Sequence, residues 1–187
     1  MAAQLFCLRH PEVAAERLAG MVLLSTLSRT AISANPVLRR TLEQLASLTP
    51  DAGGALRLRN LGLLVARLGF GRNPQPSHVE LTRQMILECD PATRKGAPSA
   101  LLGLDLTKQL AAISVPTLVI GGTHDVITPP AEARRIAKRI PGARLELLEG
   151  AGHMVMLEQA DALDELVTQF AREVQRAPGT RDREATG

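Results

Sequence analysis

Thr117-Leu-Val-Ile-Gly-Gly-Thr-His-Asp125 and Glu149-Gly-Ala-Gly-His153 decide how the rest of the chain is read. Leading into each is an apolar run, Thr117–Gly122 for the first and Leu145–Leu148 for the second, that stops abruptly at a turn. Runs of this length bounded by turn residues mark strands covered on both faces. The first turn ends in a carboxylate and the second in an imidazole. A third turn of this kind, carrying a nucleophile as Gly-x-Ser-x-Gly, does not occur in the 187 residues.

Working outward, Pro130–Ile140 joins the two runs as a helix. Ala133, Ile136, Ala137 and Ile140 fall on one side, and Arg134, Arg135, Lys138 and Arg139 on the other. Thr128 and Pro129 are the expected cap and proline start. After His153, the spacing of Leu163, Leu166, Val167, Phe170 and Val174 predicts a last helix with an apolar face. Upstream, Gly20-Met-Val-Leu-Leu-Ser25 is a third short apolar run, preceded by a helix over residues 1–10 that Pro11 ends.

Alternating strands and helices imply an α/β fold with a short parallel sheet of three strands and right-handed crossovers. Residues 30–112 interrupt that rhythm. They read as several helices, with starts at Asn35-Pro36, at the capping box Ser77-His-Val-Glu80 and at Asp90-Pro91. Leu56, Leu61, Leu64, Val65 and Leu68 give one of them a strong apolar face. The expected organisation is a core of residues 1–29 and 113–176, a helical cap or lid over 30–112, and a disordered polar tail over 177–187.

In this order and setting, the two motifs resemble the C-terminal part of an α/β-hydrolase of the serine esterase and lipase type. There the nucleophile, acid and base follow one another along the chain. The stretch Ile113-Ser-Val-Pro-Thr-Leu-Val-Ile-Gly-Gly-Thr-His-Asp125 is similar to the acid region that follows the seventh strand. Gly150-Ala-Gly-His153-Met-Val-Met-Leu-Glu158 is similar to the histidine loop after the eighth. Ala2-Ala-Gln-Leu-Phe-Cys-Leu-Arg-His10-Pro-Glu12 resembles the helix that leaves the nucleophile elbow. The resemblance implies Asp125 and His153 as catalytic residues, and a nucleophile about four residues before Met1. Five strands and the oxyanion donors would be missing as well. It implies a carboxylic ester or similar small lipophilic substrate, and no metal or organic cofactor.

In such chemistry the neutral imidazole takes a proton from the attacking alcohol, and the carboxylate fixes the ring's tautomer. The plainer alternative is that Asp125 caps the following helix and His153 is an ordinary loop residue. A zinc site of His124, Asp125 and His153 has suitable ligand types but no local two-ligand motif. Ser25 and Ser28 follow the first strand outside any Gly-x-Ser-x-Gly turn, which disqualifies them as nucleophiles. His10 and His78 read as ordinary helix residues, and Met154 and Met156 as packing residues.

Composition removes other classes. The chain is 45% hydrophobic and 22% charged, with a net charge of +3, three Phe and no Tyr or Trp. A nucleic-acid groove would show a basic stripe with stacking aromatics, so no nucleic-acid partner is expected. Arg9, His10, Glu12, Glu16 and Arg17 interrupt the apolar start well before the ~18 residues that a membrane span needs. Cys7 and Cys89 read as small buried hydrophobes of a reducing compartment, and the expected location is cytoplasmic. The first strand would present an unpaired edge, inviting self-association. The leading expectation is therefore a truncated hydrolase, inactive as it stands, from a fragment, a misassigned start or a split gene. The competing one is a catalytically inactive binding or interaction module derived from the same fold.

Overall fold

A computed structural model describes residues 1–29, 57–93, 96 and 104–176. Three parallel strands, β1 (Met21–Leu24), β2 (Thr117–Gly122) and β3 (Arg144–Leu148), form a sheet in the order β1-β2-β3. Met21 stands opposite Thr117, and Leu118 opposite Arg144. β2 is buried throughout because it lies between two strands and two helical layers. That double cover is why its sequence is continuously apolar and not alternating.

Successive side chains of a strand point to opposite faces, which divides the core in two. Met21, Leu23 and Val119 pack with Cys7 and Ala14 from α1 (Ala2–Arg9) and α2 (Pro11–Arg17), and with Ala133, Ile136 and Ile140. Those last three belong to α5 (Pro130–Arg139) and its C-cap, the crossover between β2 and β3. On the other face, Leu118 and Ile120 lie under Leu163, Leu166, Val167, Phe170 and Val174 of α7 (Ala160–Arg176). Both helical faces match the sequence expectation. Pro11 does more than end a helix: it opens α2 at a position where its missing N–H costs nothing.

Between β1 and β2, α3 (Arg59–Arg67) and α4 (Pro76–Glu88) pack together through Ala66, Phe70 and Val79. Met154 and Leu157 close that cluster, so the pair rests on the segment that follows His153. α6 (Val155–Glu158) is a single turn beside it.

Four local expectations are corrected. Leu61, Leu64, Val65 and Leu68 of the α3 region are exposed, and Gly62 and Ala66 supply its buried side. Ser77 is no capping residue: α4 starts at Pro76 with Gln75 before it. Glu80 turns to Arg83 and Gln84, which hold its carboxyl down at about 2. Pro129, not Thr128, precedes α5, and no side chain caps that helix. Cys7 is buried as expected, but Cys89 is only partly so. Asp90 does accept a hydrogen bond from the Thr93 amide at 2.8 Å, as a helix cap should. Asn35-Pro36, Leu56 and the tail over 177–187 lie outside the described residues, and no described helix is long and apolar enough to cross a membrane.

Candidate active site

Asp125 and His153, far apart in sequence, meet beyond the C-terminal ends of β2 and β3. Asp125 is only 3% exposed. Its Oδ1 accepts hydrogen bonds from the Ile127 amide at 2.9 Å and the Thr128 amide at 2.7 Å. Such local bonds hold an Asp side chain in one rotamer. Its Oδ2 accepts from the Thr128 hydroxyl and from His153 Nδ1, the latter at 3.0 Å. Burial raises the Asp125 pKa, but the hydrogen bonds from His153 and Thr128 outweigh it and hold the carboxyl below its ordinary value. Its stabilising contribution is therefore complete above the ordinary carboxylate range of about 4 and is lost only as pH falls through the lower folded value.

An ionised carboxylate only accepts, so the proton of the neutral ring sits on Nδ1 and the lone pair on Nε2. His153 lines a cavity of about 440 Å³, walled largely by Val65, Ala66, Met85, Ile86, Ile127 and Met154. A proton acceptor thus stands at the wall of an apolar cavity, with its orientation set from behind. General-base chemistry needs this arrangement.

Three glycines place the histidine loop. A Cβ on Gly122 would fall on the carbonyl oxygens of Ala151 and Gly152, and one on Gly152 on the backbone of Phe70 and Gly71. A Cβ on Gly71 would meet the carbonyl oxygen of Gly150. The loop runs in backbone contact with both the end of β2 and the 69–72 segment. Gly122→Ala or Gly152→Ala is expected to cost roughly 3 kcal/mol, the upper range for overpacking. A thermal melt would record this as a fall of about 10 °C. Gly96→Ala, with nothing within 4 Å of the added Cβ, should leave the melt unchanged.

The remaining candidates lie elsewhere. His124 Nε2 accepts from Arg72 Nε at 2.9 Å and its Nδ1 lies 3.0 Å from the Thr123 hydroxyl, so it does not join Asp125 and His153. Ser28 Oγ reaches Glu132 at 3.4 Å. Ser25 has a strained φ of 41°, but its buried Oγ has no hydrogen-bond partner among the described residues. His10 is exposed at the joint of α1 and α2, its ring 5.5 Å from that of Phe6. His78 lies partly buried on α4.

Residues 1–160 match the family model described as serine aminopeptidase, S33. The chain belongs to that family of α/β-hydrolases. A hydrolase from Pseudomonas aeruginosa superposes on the chain at TM-score 0.69 and 26% identity, over 90% of this chain and 59% of its own. A thermophilic esterase from Thermogutta terrifontis superposes at TM-score 0.67 and 28% identity, over 92% of this chain and 61% of its own. A pimeloyl-[acyl-carrier protein] methyl ester esterase of Neisseria meningitidis is 36% identical over 95 residues, 47% of this chain and 30% of that protein. This S33-family chain therefore spans about three fifths of those solved structures and a smaller share of the curated relatives it matches.

Sequence reasoning missed two residues around Asp125 and His153. Thr128 was assigned to the helix cap, yet its hydroxyl serves Asp125; the only sequence signal was a hydroxyl three residues after the acid. Glu158 closes the stretch that resembles the histidine loop, with no role of its own assigned there. Its carboxylate accepts from the amides of Gly152 at 2.8 Å and Gly71 at 2.6 Å.

Proposed function

We propose that the chain supplies the acid and base of a serine-type hydrolase acting on carboxylic esters with a small lipophilic acyl group. In this reading Asp125 orients His153, and α3 and α4 belong to a cap over the substrate. The nucleophile stands on a Gly-x-Ser-x-Gly turn that this chain does not carry. The observation that carries the reading is the Asp125–His153 hydrogen bond, with Nε2 left for the apolar cavity side. Ser25 and Ser28, the serines that follow β1, support an outside nucleophile: one has an unpartnered Oγ and the other is turned to Glu132.

The chemistry balances with these parts. Nε2 takes the alcohol proton as the alcohol oxygen bonds to the ester carbonyl carbon. The imidazolium, stabilised by Asp125, returns that proton to the departing alkoxide, leaving an acyl-enzyme. Water then repeats both steps and releases the acid. The apolar walls favour an aliphatic acyl chain, and the esterase names of two relatives point to the same bond.

The test is a substrate panel on a form of the protein with a Gly-x-Ser-x-Gly turn ahead of α1. Aliphatic p-nitrophenyl esters are expected to be the best substrates, ahead of N-terminal aminoacyl anilides by at least about tenfold in kcat/KM, or about 1.4 kcal/mol. Turnover of the anilides with none of the esters would overturn the ester assignment and leave a peptidase.

A further inference from the structure

The 69–72 segment and the histidine loop are joined by more than packing. Gly69 accepts, on one carbonyl oxygen, the amides of both His153 and Met154 at 2.9 Å each. The Arg72 amide donates to the Gly150 carbonyl at 3.0 Å. Between these contacts sits the Glu158 carboxylate, with Oε1 on the Gly152 amide and Oε2 on the Gly71 amide. Its two oxygens therefore bridge the segment that leaves α3 and the residue immediately before His153. Both glycines are positions where a side chain would strike backbone, so the carboxylate reaches amides that come together only when the two segments are docked.

We propose that Glu158 is a positioning residue for His153, locking the 69–72 segment onto the histidine loop so that the ring keeps its hydrogen bond to Asp125. This rests on the reading of His153 as the base and adds a means of control: loosening the segment releases the ring. A carboxylate suits the task because both of its oxygens accept. A glutamine of the same shape accepts with one atom and turns an N–H donor toward the second amide, so one bridge is lost while packing is kept.

The test compares the wild-type chain with Glu158→Gln by NMR, with Arg72→Ala as a control that leaves the backbone bridge intact. In E158Q the amide of Gly71 or Gly152 should exchange about tenfold faster or more, the loss of one hydrogen bond to a charged acceptor. The Nδ1 proton of His153 should also exchange faster or broaden, while the β2 amides Val119 and Ile120 keep their protection. Faster glycine exchange with an unaltered His153 proton would reduce Glu158 to a structural role and overturn the proposal. If E158Q does not fold, exchange in the wild-type chain decides. The Gly71, Gly152 and His153 Nδ1 protons should open together with one denaturant dependence, and independent opening sinks the idea. Neither readout uses turnover, so failure of the ester reading in the substrate panel leaves this outcome separately legible.

Discussion

His153→Ala, made in a form of the protein that carries the nucleophile, is expected to lower kcat for an aliphatic ester by about a millionfold. Asp125→Asn should cost about ten-thousandfold. The difference follows from what each side chain does. Removing the imidazole leaves the alcohol with no acceptor for its proton, and an alcohol is almost wholly protonated at neutral pH. Replacing Asp125 keeps the imidazole but reverses the bond behind it. Oδ1 is engaged by the amides of Ile127 and Thr128, so the oxygen of an asparagine stays there and its NH2 group faces His153. Nδ1 must then accept, the ring proton moves to Nε2, and the lone pair no longer serves the cavity side. The double variant should be no slower than H153A alone, because both changes disable one unit. Steady-state kinetics with a p-nitrophenyl ester measure all three, and a D125N enzyme with wild-type kcat would refute the orienting role.

Parts of this site were legible from residue order alone, and the reason is physical. β2 announces itself because a strand covered on both faces has no room for polar side chains, and β1 does so over four residues. The turn after β2 stands out because a buried strand that stops at a charged side chain is placing that group. β3, expected to be covered on both faces, is only half-buried along its length, and its turn stands out by the glycines on either side of Ala151. Orientation between groups was less accessible. Thr128 looks like a helix cap because a hydroxyl before a proline usually is one. In the fold Pro129 takes the position before the helix, and the Thr128 hydroxyl donates to the Asp125 carboxylate instead of accepting from helix amides.

The apolar stripe of α3 taught a different lesson. Its spacing states a preference for burial, but burial needs a partner surface, and the helix instead buries Gly62 and Ala66, the latter against Phe70 and Val79. Glu158 was opaque for a related reason. Its partners are backbone amides of glycines from two separate segments, and no side-chain pattern encodes a backbone amide.

The 187-residue chain by itself is expected to hydrolyse p-nitrophenyl esters no faster than buffer. A form with the Gly-x-Ser-x-Gly turn should exceed it by about a millionfold. The residue that most tempts a contrary expectation is Ser25. It sits at the end of β1 with a φ of 41°, a strained strand-end backbone like that of a nucleophile elbow. What it lacks is a base: its Oγ makes no hydrogen bond among the described residues, His153 included. His153 meanwhile is bonded to Asp125, and in the proposed reading the alcohol it serves stands outside these 187 residues. A fluorophosphonate probe distinguishes the cases directly, because it forms a covalent bond only with an activated hydroxyl. The 187-residue chain should stay unlabelled, and Ser25→Ala should change nothing. Labelling of the wild-type chain that disappears in S25A would make Ser25 the nucleophile and show that the chain carries its own chemistry.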